Sequence, residues 1–167
     1  MSWKLVKAIV ILPGTALVYV PGAILWLTAG LPGGMAPVGM GEPRFWIGAV
    51  LGAAGFAVAV WTVRLFATAG QGTPAPWAPP RKLVVRGPYR HVRNPMLSSV
   101  NVMLAGESLL LGSWYIAAWM AVFVLLNTTY FIRSEEPVLE RRFGESYRLY
   151  KANVPRWIPR WRPWNGP

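Results

Sequence analysis

The chain has 167 residues, is 54% hydrophobic, carries ten tryptophans and a formal charge of +11, and contains no cysteine. One domain of this apolarity is excluded from the ordinary soluble class, and the missing cysteines exclude disulfides, thiolate chemistry and lipidation through sulfur. With one histidine and no aspartate, metal centres and catalytic triads are poorly served, so no metal is expected.

In chain order, Lys4 and Lys7 precede an apolar run that reads as an uncleaved first span, about Val6 to Thr28, with Pro13 and Pro21 expected to kink it. A loop rich in glycine and proline, Gly30 to Pro43, leads to a second span from Phe45 to about Ala69, in which Arg64 reaches back to the headgroups. Gly52, Ala53, Ala54, Gly55 and Ala57 in that span allow close helix approach. Residues Gly70 to Pro80, punctuated by proline and glycine, cannot form a regular helix.

Met96 to Ile132 holds one charged side chain, Glu107, and reads as two spans joined near Gly112-Ser113. Glu107 is either an intramembrane functional group, with Asn101 as partner, or a carboxylate reaching the opposite headgroups. Beyond it, Pro137 suits the first turn of an amphipathic helix with Leu139, Phe143, Tyr147, Tyr150 and Val154 on one face. That helix either lies along the headgroups or closes over a site. The tail from Pro155 mixes arginine with tryptophan, as an interfacial anchor does.

The expected fold is therefore all-α and integral to the membrane, with about four transmembrane helices and a C-terminal cytoplasmic amphipathic helix. Its segments are 1–69 (two spans), 70–95 (a polar loop), 96–132 (a helical hairpin) and 133–167 (helix and tail). Basic residues crowd one side: Lys4 and Lys7, then Arg81, Lys82, Arg86, Arg90 and Arg93, then those after Phe131, whereas the opposite loops carry only Arg44. By the positive-inside rule both termini and the central loop are cytoplasmic, with the plasma membrane the expected location. The net charge reads as topology and attraction to anionic headgroups, not nucleic-acid binding. Oligomeric state is not legible.

Two polar signatures flank the hairpin: Arg86-Gly87-Pro88-Tyr89-Arg90-His91-Val92-Arg93-Asn94-Pro95 before it and Arg133-Ser134-Glu135-Glu136-Pro137 after it. Both emerge on the same side. Arginines, a tyrosine and two carboxylates beside a lipid phase can bind a zwitterionic cofactor and a lipid-like substrate together.

Taken with Met96, Leu139, Phe143-Gly144, Tyr147, Tyr150 and Val154-Pro155-Arg156, these elements resemble, over about Gly72 to Arg162, the isoprenylcysteine carboxyl methyltransferase and phospholipid methyltransferase family of integral membrane enzymes. Asn94 stands where many members carry histidine, and Leu97 where tyrosine is common. The resemblance implies S-adenosylmethionine as cofactor and a lipid or amphipathic acceptor, either a prenylcysteine-type carboxylate or a phospholipid amine. Within it, Glu135 or Glu136 holds the cofactor's ammonium, and Arg93, Arg86 or amides near Gly87 receive its carboxylate. Tyr89 or Tyr147 supplies an aromatic face, with Asn94 and Pro95 in the same binding loop. Arg133 orients a carboxylate acceptor; Glu136 serves as base for an amine. On this reading Glu136→Gln weakens cofactor binding in a protein that still folds, and loss of Trp161 to Pro167 affects membrane attachment more than cofactor affinity. Two other classes stay open. One is a non-catalytic scaffold of the same fold. The other is a nicotinamide-dependent membrane reductase, which lacks a glycine-rich fingerprint here.

Overall fold

The computed structural model describes residues 11, 13–65, 68 and 83–166. The N-terminal lysines, the start of the first expected span, and the whole of the expected loop at 70–80 with Arg81 and Lys82 lie outside them. All regular structure among the described residues is helical. Helix α1 is Thr15–Leu27, α2 Pro43–Leu65, α3 Pro95–Leu111 and α4 Trp114–Tyr130, followed by a π-helical turn Phe131–Glu135, α5 Glu136–Phe143 and α6 Glu145–Asn153. Two helical stretches are long and apolar enough to cross a membrane, Pro43–Leu65 and Trp114–Phe143. The apolar part of the second is 114–132, and charged residues begin at Arg133. Helices α1 and α3 are apolar but shorter.

The expected kink in α1 takes a definite form. Its first five residues, Thr15–Tyr19, are π-helical, and the Val20 N–H reaches Thr15 O immediately before Pro21. The same arrangement recurs at Phe131–Glu135, where the Glu136 N–H reaches Phe131 O immediately before Pro137. A proline has no N–H to give the regular ladder, and one wide turn absorbs the mismatch. The Ala16 carbonyl, left without a helical donor, accepts the Trp119 indole Nε1–H at 3.0 Å. Around that bond Ala16, Val100, Leu104 and Ile116 form the buried core between α1, α3 and α4.

Helices α2 and α3 approach most closely through glycine. A Cβ on Gly106 would lie 2.6 Å from Gly48 O, and one on Gly55 would lie 2.8 Å from Ser99 O. These backbones touch because neither glycine has a side chain, the small-residue packing that operates in lipid. Gly48, Gly55 and Gly106 are buried, whereas Ala53, Ala54 and Ala57 are exposed. The α3–α4 turn is made by Gly112, in the left-handed region at φ 57°, and by the hydroxyl of Ser113, which caps α4. The preceding loop finishes the cap: Ala36 N–H donates to Leu111 O at 2.8 Å and Val38 N–H to Leu110 O at 3.1 Å.

One expectation is corrected beyond the hairpin. The amphipathic stretch is not a single helix from Pro137. It runs on from α4 through the π turn and breaks at Gly144, whose φ of 57° and ψ of −130° cannot continue a helix. Its apolar face packs on the protein: Tyr147, Tyr150 and Val154 are buried against Leu83, Val85 and Trp164.

Candidate functional site

The π turn separates two adjacent carboxylates. Neighbouring helical residues point about 100° apart, so Glu135, at the end of the turn, and Glu136, at the start of α5, face different surroundings. Glu136 is buried, at 4% exposure. Its Oε1 accepts from Arg93 Nη1 at 2.8 Å and from Arg156 Nη2 at 2.7 Å and Nε at 2.9 Å, and Lys151 Nζ stands 3.3 Å from Oε2. Burial pushes its pKa up, but the hydrogen bond from Arg156 and the charges of Arg93 and Arg156 outweigh it and hold the carboxyl below its ordinary 4.5. This carboxylate joins the loop before α3, the start of α5, α6 and the tail.

Glu135 instead lines a cavity of about 210 Å³ between α1, the base of α3 and the end of α4. No ion pair reaches it among the described residues. Burial first, then the charge of Glu136, pushes its pKa up to about 7. Tyr89, Arg93 and Asn94 line the same cavity. Arg93 Nε and Asn94 Nδ2 are buried and lack a hydrogen-bond partner among the described residues, although a buried donor without one costs about 1–3 kcal/mol. The opposite wall is apolar, with Leu97, Val100, Phe123 and Phe131.

The other residues singled out from the sequence fall elsewhere. Tyr147 is buried against Tyr150, with ring centroids 6.2 Å apart, and lies outside the cavity lining. Burial, then the charge of Glu136, raises its hydroxyl to about 12. Tyr150 holds the loop in place by donating its hydroxyl to the Tyr89 carbonyl at 2.8 Å. Gly87 and Pro95 border a second groove on the far side of the loop. Arg86 and Arg133 are exposed and line neither space. Glu107 and Asn101 are not bonded to each other, and Asn101 Oδ1 is itself buried without a partner.

Sequence reasoning assigned no role to Lys151 or Arg156, which complete the Glu136 cluster, or to Asn127 and Tyr130, which line the cavity. The polar run Asn127-Thr128-Thr129 inside an apolar helix was the available signal for the latter. The tail was also missed. Its backbone is laced to the loop: Arg93 N–H donates to Pro155 O at 2.8 Å, Arg160 N–H to His91 O at 2.9 Å, and Trp164 N–H to Arg90 O at 2.9 Å.

The apolar helical bundle thus carries a cavity at one end, walled by hydrocarbon on one side and by Glu135, Arg93 and Asn94 on the other. The family model "Phospholipid methyltransferase" matches residues 43–146, and the chain belongs to that family of membrane methyltransferases. It is also similar to an uncharacterized protein of Haemophilus influenzae, at 38% identity over 65 residues that cover 38% of this chain and all of that protein. No solved structure matches.

Proposed function

We propose that the protein transfers a methyl group from S-adenosylmethionine to a lipid-like acceptor, a prenylcysteine-type carboxylate or a phospholipid amine, at the cytoplasmic membrane face. The observation that carries this reading is the cavity lining: a carboxylate that makes no ion pair, beside two buried donors without an acceptor, among the described residues. A ligand bearing both an ammonium and a carboxylate answers all three groups at once.

The residues present fit that cofactor. Glu135 holds the α-ammonium, Arg93 Nε and Asn94 Nδ2 donate to the α-carboxylate, and Tyr89 gives an aromatic wall. S-adenosylmethionine supplies, when bound, a methyl group on a positively charged sulfur that is already a good leaving group. What remains for the chain is to align donor and acceptor and to keep water out. Asn94 serves as a hydrogen-bond donor, a task that does not need the proton transfer a histidine offers. Leu97, Val100 and Phe123 receive the acceptor's hydrocarbon, and the exposed Arg133, two residues before Glu135 in the chain, is the candidate to orient an anionic acceptor group. Glu136 keeps Arg93 in place, since its carboxylate is already saturated by three cations. In this reading α1 and α3 also cross the bilayer, giving four spans with both termini cytoplasmic.

The test is transfer of labelled methyl from S-adenosylmethionine into lipid-extractable material by the detergent-purified protein. Transfer that Glu135→Gln abolishes supports the reading. Absence of saturable S-adenosylmethionine binding, and of transfer, in a folded sample points to the scaffold alternative.

A further inference from the structure

The loop at 87–93 separates two spaces. Tyr89 and Arg93 line the cavity described above, whereas Arg90, His91 and Val92 line a groove of about 640 Å³ on the other side. Its long walls are apolar and come from α2 and α3, with Ala54, Val58 and Val102 among them. Trp61, about half exposed, forms part of the rim. Loop and rim are in contact: Gly87 has φ 54°, and a Cβ there would lie 2.9 Å from the Trp61 ring. Pro159 and Pro163 of the tail form the remaining edge.

The cations at the mouth are only partly used. Arg90 Nε donates to Trp164 O at 3.0 Å, and its two terminal amino groups have no partner among the described residues. His91 Nδ1 faces Arg160 O at 2.9 Å. That contact occupies one ring nitrogen, and Arg90 supplies the permanent charge. A hydrocarbon slot between two apolar helices ends at a guanidinium with two free donors, beside a tryptophan at headgroup level. This is complementary to an acyl chain that ends in a phosphate.

We infer that the groove between α2 and α3 is a binding site for an anionic phospholipid, its phosphate on Arg90 and one acyl chain along Ala54, Val58 and Val102. It is separate from the methyl-transfer site, and its lipid is a resident of the fold, not the acceptor. Because it requires neither cofactor nor turnover, it stands or falls independently of the proposed activity.

Native mass spectrometry of the detergent-purified protein, without cofactor, tests it. The probes are phosphatidylglycerol, phosphatidylcholine with the same chains, and glycerol 3-phosphate. The expected result is one phosphatidylglycerol retained per chain, about tenfold more tightly than phosphatidylcholine. Arg90→Gln should weaken it about tenfold, as befits one charge-assisted contact, while Arg90→Lys retains most of it. Val58→Phe, which fills the slot, should weaken it without touching the charge. Equal retention of the two lipids, or unchanged retention in Arg90→Gln, overturns the inference. So does glycerol 3-phosphate binding as tightly as the lipid, which would make the mouth a free-phosphate site. If Val58→Phe does not elute as a folded particle, the Arg90 pair decides alone.

Discussion

Arg93 donates to Glu136 at 2.8 Å across 43 residues of sequence, and this bond ties the polar loop ahead of α3 to the first residue of α5. It also settles which way Arg93 faces. One end of the guanidinium is fixed on Glu136, leaving Nε buried and unsatisfied, with Arg93 on the cavity wall.

Removing the Glu136 charge should therefore cost stability before it costs anything else. Breaking a buried pair by deleting one partner costs about 3–5 kcal/mol, and here three cations would lose their common counter-charge. Glu136→Gln should lower the melting temperature in detergent by several degrees. An unchanged melting temperature would show that Arg93, Lys151 and Arg156 do not need this carboxylate.

Acid should expose the same cluster. Glu136 is held below its ordinary 4.5 in the folded protein. Its contribution is thus fully present above that value and is lost as pH falls through the lower, folded pKa. A melting-temperature series from pH 6 downward should show wild type losing stability below about pH 4.5, with Glu136→Gln lacking that component.

Glu135 should behave in the opposite way. Replacing it with Gln removes a partly buried, unpaired charge, so stability should hold or rise while affinity for S-adenosylmethionine falls at least about tenfold, the worth of one charged hydrogen bond. The carboxyl's pKa near 7 sets a pH dependence. Below pH 7 the group is protonated and must lose its proton to hold an ammonium. The cofactor dissociation constant should therefore rise about tenfold per pH unit below 7 and level off above it. A flat profile from pH 5.5 to 8 would remove Glu135 from the site.

The tail should matter for more than attachment. Trp164 bonds Arg90 through both backbone N–H and carbonyl, and Arg160 does the same for His91. A chain ending at Pro159 loses all four contacts to the loop. It should bind S-adenosylmethionine more weakly even where membrane fractionation is unchanged. Full affinity in that truncation would restore the anchor-only reading of the sequence.

Valine at Gly106 should force α2 and α3 apart, since even one methyl would sit 2.6 Å from Gly48 O. A loss of about 2 kcal/mol or more is expected, as for overpacking elsewhere, and is measurable by denaturant or thermal unfolding in detergent.

Local rules made some of this legible. A glycine followed by serine between apolar runs gives the α3–α4 turn, because Gly112 takes the left-handed conformation and Ser113 caps the next helix. Pro21 announced a kinked helix and Pro137 the start of one, but the π turn that ends just before each follows from the tertiary setting. That form decides the difference between Glu135 and Glu136, which is why two adjacent carboxylates looked equivalent in the sequence. The lacing of the tail to the loop was hidden for another reason. Much of it pairs backbone groups that are distant in sequence, and backbone pairing leaves no residue signature.

The most direct test of the central claim is calorimetric titration of the detergent-purified protein with S-adenosylmethionine, wild type beside Glu135→Gln. The account predicts saturable binding by wild type and at least about tenfold weaker binding by the variant at an unchanged or higher melting temperature. No saturable binding by a folded wild type, or equal binding by both, would contradict it.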